Sequence, residues 1–162
     1  MSVETVPSVA DLTEMVEQVW MSYLDPEGID PLIPSEEEHG ESEVHSSVAI
    51  TGSWQGAVGF GSSQAAARNI AAAFLQMEPG EVSEEDLADV LGEMANIIGG
   101  NVKSLLPQPC ALSLPQVLVE EAITTWYLGV TEVCQLDGVW LDEPVTVRVL
   151  ESTADVVGVR AA

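Results

Sequence analysis

The chain has 162 residues, 46% of them hydrophobic and 19% charged, enough for one compact domain and not the composition of a disordered chain. Its 27 Asp and Glu stand against four Lys and Arg, a formal net charge of −23. Arg68, Lys103, Arg148 and Arg160 are too few and too scattered to neutralise phosphates, which excludes nucleic acid and an anionic membrane surface as partners.

No apolar run approaches the ~18–20 residues of a membrane span, and the amino terminus lacks the basic-then-apolar pattern of a secretory signal. Cys110 and Cys134 make no CxxC pair, and His39 and His45 are not close to either cysteine in sequence. All four read as chemically idle, and no metal site is predicted. The expectation is a cytoplasmic, reduced protein forming one domain over 1–162.

In chain order, Val9, Leu12, Met15, Val16, Val19, Trp20, Tyr23 and Leu24 follow the spacing of one helix face, and Asp25-Pro26 ends the run. Residues 25–43, with three prolines and Glu36-Glu37-Glu38, read as an acidic loop whose charge run is solvated. Two strands flanking Thr51-Gly52-Ser53 are predicted between residues 43 and 60. The following Gly59–Ser63 stretch lacks the lysine and glycine spacing of a phosphate loop. It reads instead as a turn into an alanine-rich helix over 64–77, capped by Ser62 or Ser63.

A third helix begins at Ser83, with Asp86 as capping partner and acidic residues in its first turn, where the helix dipole favours them. Leu87, Val90, Leu91, Met94, Ile97, Ile98, Val102 and Leu105 form its apolar face, and Pro107 and Pro109 end it. On the opposite side Asp89, Glu93, Asn96, Gly100 and Lys103 line up at 100° per residue. A polar stripe is what any surface helix has. Here, however, Asn96 is a poor mid-helix residue, and Gly99-Gly100 costs about 1 kcal/mol per glycine. The pattern predicts that another backbone approaches this face, and Glu93 and Asn96, three apart, can meet one partner.

The remainder reads as strand. Residues 111–119 are apolar with Pro115 placing them at an edge or bulge, 124–136 are β-branched and aromatic, and Asp137-Gly138 is a hairpin signal. Residues 139–141 and 145–150 follow, the latter alternating as a half-buried strand does. The predicted fold class is α+β, mainly an antiparallel sheet covered by helices.

Asp89-x3-Glu93-x2-Asn96, continuing through Ile97-Ile98-Gly99-Gly100-Asn101-Val102-Lys103-Ser104 to Leu112-Ser113-Leu114-Pro115, resembles the signature of the CheC/CheX/FliY phosphatases, which dephosphorylate the chemotaxis response regulator CheY. CheC-type members carry two such helices. Here Ala66-x-x-Asn69 stands where the second Glu-x-x-Asn is needed, so the chain is most similar to a single-site, CheX-like domain. The resemblance implies a phosphatase acting on the phospho-aspartate of a CheY-like receiver. Asn96 then orients the attacking water and Glu93 docks the regulator's lysine, with Asp89, Gly100 and Lys103 toward the partner. It further implies a homodimer, no cofactor of the chain's own, and Mg²⁺ on the response regulator. The alternatives are a non-catalytic binding module or scaffold for a regulator or switch complex, and a dimerisation domain whose stripe is incidental.

Overall fold

Ser8 and Asp11 cap each other at the start of the first helix, the Ser8 hydroxyl accepting the Asp11 N–H at 3.1 Å and the Asp11 carboxylate accepting the Ser8 N–H at 3.0 Å. In this computed structural model, which describes residues 7–37, 42–119 and 130–152, helix α1 (Val9–Val19) then buries Leu12, Val16 and Val19. The predicted apolar face continues for another turn, as a π-helical segment over Trp20–Leu24 rather than as α-helix. The Asp25 N–H closes it on the Trp20 carbonyl at 2.7 Å. Trp20 is thereby set into the core, tilted against Phe60 and edge-on to Trp140, with centroids at 6.3 and 5.7 Å.

The acidic loop is more fastened than its sequence predicts. Buried Asp25 accepts the N–H groups of Ile29 and Asp30 on one oxygen, and the Trp140 indole donates to the Asp30 carbonyl at 2.6 Å. The loop then lends a two-residue strand, β1 (Ile33–Pro34), to the sheet. Glu38 and His39 of this loop lie outside the described residues, as do residues 124–129 of the predicted strand and Arg160.

Strands β2 (Val44–Gly52) and β3 (Gly56–Ser62) form an antiparallel pair as predicted, but Thr51 and Gly52 belong to β2, where they pair with Ala111 and Cys110, and the turn falls at 53–55. Ser63 caps helix α2 (Gln64–Leu75), its hydroxyl accepting the Ala66 N–H at 3.0 Å. Helix α3 (Glu84–Lys103) is followed by β4 (Cys110–Leu112), β5 (Gln116–Val119), β6 (Val130–Trp140) and β7 (Glu143–Ser152). The sheet order is β1-β6-β7-β3-β2-β4, with β5 also on β2, and every pairing is antiparallel. The α+β architecture is as predicted. Apolar residues of all three helices pack with Val48, Ile50, Val58, Phe60, Val147 and Val149 on one face of the sheet.

Two strand assignments are corrected. Asp137-Gly138 is not a turn but lies inside β6, and the hairpin closes through Leu141 and Asp142, both at positive φ (51° and 68°), between the paired Trp140 and Glu143. Gly138 makes room for the residue just before β1: a Cβ would sit 3.0 Å from Leu32 Cδ1. Asp137 accepts hydrogen bonds from Gln135 and Thr146. Residues 111–119 form two short strands rather than one, for a reason that belongs to the site.

On the far face of the sheet, the Arg148 guanidinium donates to Gln135 Oε1 at 2.9 Å. Burial above all, and then this nearby guanidinium, push the pKa of His45 down to about 4 and keep it neutral. Burial, reinforced by Glu132 and Asp11, pushes the Cys134 thiol up to about 11.

Candidate functional site

Helix α3 is secured at both ends. Ser83 and Asp86 form the predicted capping box, the Ser83 hydroxyl accepting at 3.0 Å and the Asp86 carboxylate at 3.2 Å. At the other end the Gln108 amide donates to the carbonyls of Lys103 and Leu106 (2.8 and 2.9 Å), and Lys103 Nζ donates to the Cys110 carbonyl at 3.2 Å. Between these ends Leu87, Val90, Leu91, Met94, Ile98 and Val102 are buried against the sheet.

Gly99 belongs to that inner face, which corrects the reading of Gly99-Gly100 as one signal of an approach from outside. A Cβ on Gly99 would stand 2.5 Å from Val48 Cγ2, so the glycine is required by the helix's own seat on β2. Gly100 points away from the sheet, with no atom within 4 Å of a Cβ there.

The outer face holds Asp89 and Glu93, both exposed, and Asn96, half-buried. None of these three side chains has a hydrogen-bond partner among the described residues. They form one wall of an open groove of about 390 Å³.

The facing wall comes from the edge of the sheet. Leu112 of β4 pairs with Ile50, and Gln116 of β5 with Ser47, so residues 113–115 stand opposite only two residues of β2. This one-residue excess is a bulge. Ser113 makes it possible: its N–H donates to the Ala49 carbonyl, and its hydroxyl, in place of a backbone carbonyl, accepts the Ala49 N–H, both at 2.9 Å. The same hydroxyl donates to the Leu114 carbonyl at 2.9 Å. Pro115 has no N–H to leave unpaired and packs over Gly92, about where a Cβ would meet it at 3.4–3.5 Å. Ser113, Leu114, Pro115 and Val117 thus face Asp89, Gly92, Glu93 and Asn96 across the groove.

Of the residues singled out in the sequence, the structure therefore gathers Asp89, Glu93 and Asn96 with the Ser-Leu-Pro segment. Gly100 and Lys103 do not line this groove, and the Lys103 ammonium already holds β4. Asn101 faces a separate cleft of about 360 Å³, between α3 and the Asp11–Gln18 side of α1. Among the described residues, no group of three His, Cys, Asp or Glu is placed to hold a metal ion, and no helix is long and apolar enough to cross a membrane. Leu114, which the sequence offers only as part of the family signature and with no role of its own, lines the groove and is 86% exposed. Its signal was available: a leucine between a serine and a proline, where the alternation of an edge strand breaks.

The groove's chemistry follows from its side chains. A carboxylate and a carboxamide one turn apart, neither engaged internally, can meet a cation and a polarised water on one partner. Comparison with known proteins fits this picture. Residues 44–136, more than half of the chain, match the family model described as chemotaxis phosphatase CheX. No match is found among curated proteins. The solved structures similar to the chain include chemotaxis protein CheX from Vibrio vulnificus, with a TM-score of 0.73 and 16% identity over 93% of this chain and 100% of that one. CheX of Borrelia burgdorferi, solved as a CheX–CheY–BeF₃–Mg²⁺ complex, has a TM-score of 0.75 and 16% identity over 91% of this chain and 99% of that one. A CheC-like superfamily protein from Shewanella sp. PV-4 follows, with a TM-score of 0.67 and 15% identity over 93% and 98%. At these identities the structural likeness speaks for the fold.

Proposed function

The chain belongs to the chemotaxis phosphatase CheX family, and from that premise we propose that it hydrolyses the phospho-aspartate of a CheY-type response regulator, with Asn96 orienting the attacking water and Glu93 docking the regulator's lysine. The observation that carries this reading is the outer face of α3. Asp89, Glu93 and Asn96 share one open groove, and none of their side chains makes a hydrogen bond among the described residues.

The phospho-aspartate is an acyl phosphate. Water attacks phosphorus in line, the bond from phosphorus to the carboxyl oxygen breaks, and aspartate and inorganic phosphate result. There is little covalent chemistry for a helper to perform, so positioning the water supplies the rate. A carboxamide suits that task, because its carbonyl accepts a hydrogen from the water while its NH₂ donates toward the phosphoryl oxygens, with no charge to repel them. Asn96, half-buried and without a hydrogen-bond partner among the described residues, suits that task. Glu93, one turn earlier and exposed, is placed to pair with an ammonium on the partner. In this reading the divalent ion needed to neutralise the phosphoryl group comes with the receiver; the Borrelia burgdorferi complex contains Mg²⁺. We place the protein in the cytoplasm with its receiver. A chain of net charge −23 approaching an anionic site is slowed by repulsion, which that Mg²⁺ offsets in part.

The test is to incubate the protein with a panel of phosphorylated receiver domains, including Borrelia burgdorferi CheY, and to follow phosphate release. Accelerated release from at least one receiver, lost in Asn96→Ala, is the expected result. Binding to beryllofluoride-activated receivers without any acceleration would instead favour a non-catalytic scaffold.

A further inference from the structure

Leu114 is the most exposed of the large hydrophobic residues described, at 86%, ahead of Ile29 at 69%. One exposed leucine is ordinary on any surface. What separates this one is how it is held and what stands beside it. Ser113 completes the strand pairing to Ala49 with its own N–H and hydroxyl, and the hydroxyl also holds the Leu114 carbonyl. Pro115 fixes the far side on Gly92, and Gln116 resumes pairing with Ser47. The leucine therefore sits on a bulge tied at both ends, so that covering it orders little backbone. It shares one groove with Glu93 and Asn96.

We infer that Leu114 is an apolar anchor that seats the receiver domain against the Glu93–Asn96 face, contacting an apolar patch beside the phosphorylated aspartate. The inference rests on the proposed phosphatase reading and adds to it the contact that supplies affinity. The argument for this occupant is continuity and charge. Leu114 lines the same groove as Asn96, so a partner that fills it to reach Asn96 meets Leu114, and an acidic rim of Asp89 and Glu93 can pair with a lysine but contributes little binding in salt. An apolar contact inside a polar rim is how such interfaces obtain affinity that salt does not screen. Leu114 is thus a docking residue, not a catalytic one.

The experiment compares wild type with Leu114→Ser and Leu114→Met on the receiver that wild type serves best. Turnover is measured on the receiver phosphorylated by a small-molecule donor, and affinity on the same receiver activated by beryllofluoride and Mg²⁺, at low and high salt. The expected result for Leu114→Ser is a KM and a Kd raised about tenfold, with kcat within about twofold of wild type. The ratio should be the same at both salt concentrations, the melting temperature unchanged, and Leu114→Met close to wild type. An active wild type with unchanged KM and Kd in Leu114→Ser would overturn the anchor while leaving the phosphatase reading intact. A fall in kcat at constant KM would overturn it as well, by making Leu114 part of the catalytic geometry. So would loss of self-association with receiver binding unchanged, which would assign Leu114 to a second copy of the chain. A wild type that neither binds nor dephosphorylates any receiver would end both proposals together.

Discussion

Helices α2 and α3 lie on the same face of one sheet, and both open on a serine whose hydroxyl accepts the N–H three residues on. Beyond that first turn they differ in what their polar groups do. In α2 the Ser63 hydroxyl also donates to Glu143 at 2.7 Å, and the Arg68 guanidinium donates to the Val82 carbonyl at 2.7 Å and pairs with Glu84 at 3.3 Å. Ala66, where a second glutamate would stand, is fully buried. The Ser63 cap and Arg68 thus fasten α2 to the rest of the fold, while Asn69, half-buried, has no side-chain hydrogen bond among the described residues. In α3 the side-chain fastening among the described residues is confined to the two ends, and Asp89, Glu93 and Asn96 between them have no hydrogen-bond partner there. A polar face becomes available to a partner when the structure that carries it is held by other groups.

The largest test of this contrast is Asn96→Ala. Receiver-assisted hydrolysis is expected to fall by at least about 10²-fold in single-turnover phosphate release, with little change in affinity for the beryllofluoride-activated receiver, since the lost contact matters in the transition state. Equal loss of affinity and rate would make Asn96 a docking residue instead.

The adjacent glycines of α3 sharpen the comparison from the side of stability. Gly99→Ala is expected to lose about 1–3 kcal/mol in chemical denaturation, because the new methyl meets Val48. Gly100→Ala, in open space, is expected to gain up to about 1 kcal/mol, as alanine does over glycine in a helix. Two losses of similar size would mean that the outer face is covered.

Glu93→Ala is expected to weaken receiver binding and lower kcat/KM by about tenfold at low salt, and by less at high salt, as an exposed ion pair should. A salt-independent loss would argue against a pairing with the receiver's lysine.

The smallest effects are expected on α2. Arg68→Ala should lower stability by about 1 kcal/mol through its lost hydrogen bonds. Neither it nor Asn69→Ala should move kcat, and Asn101→Ala, facing the cleft beside α1, should behave likewise. Phosphatase activity that follows Asn69 rather than Asn96 would transfer the site to the other helix.

Much of this was legible in the sequence, because the signals involved are local. Capping boxes are short-range arrangements of side chain and backbone, so Ser83 with Asp86 and a cap at Ser62 or Ser63 could be read from spacing. The stripe of Asp89, Glu93 and Asn96 follows from helical geometry once the helix is recognised. Local signals also misled. Asp137-Gly138 has the composition of a hairpin turn, yet the glycine is there for Leu32, which is distant in sequence, and the aspartate bonds Gln135 on its own strand and Thr146 on the neighbouring one. The actual turn at Leu141-Asp142 carries a leucine at positive φ that composition argues against.

The sequence by itself determined the class of fold and, because periodicity and capping act within a few residues, the third helix and its polar stripe, while the two side chains proposed for the chemistry are those that the family resemblance of that stripe implies. Only the tertiary structure decided which of the two helix glycines was needed for packing and that Lys103 holds β4. It also decided that a serine hydroxyl standing in for a carbonyl pushes Leu114 out beside Asn96. Those outcomes depend on contacts between segments distant in sequence, such as Val48 with Gly99 and Ala49 with Ser113, whose partners no local pattern names.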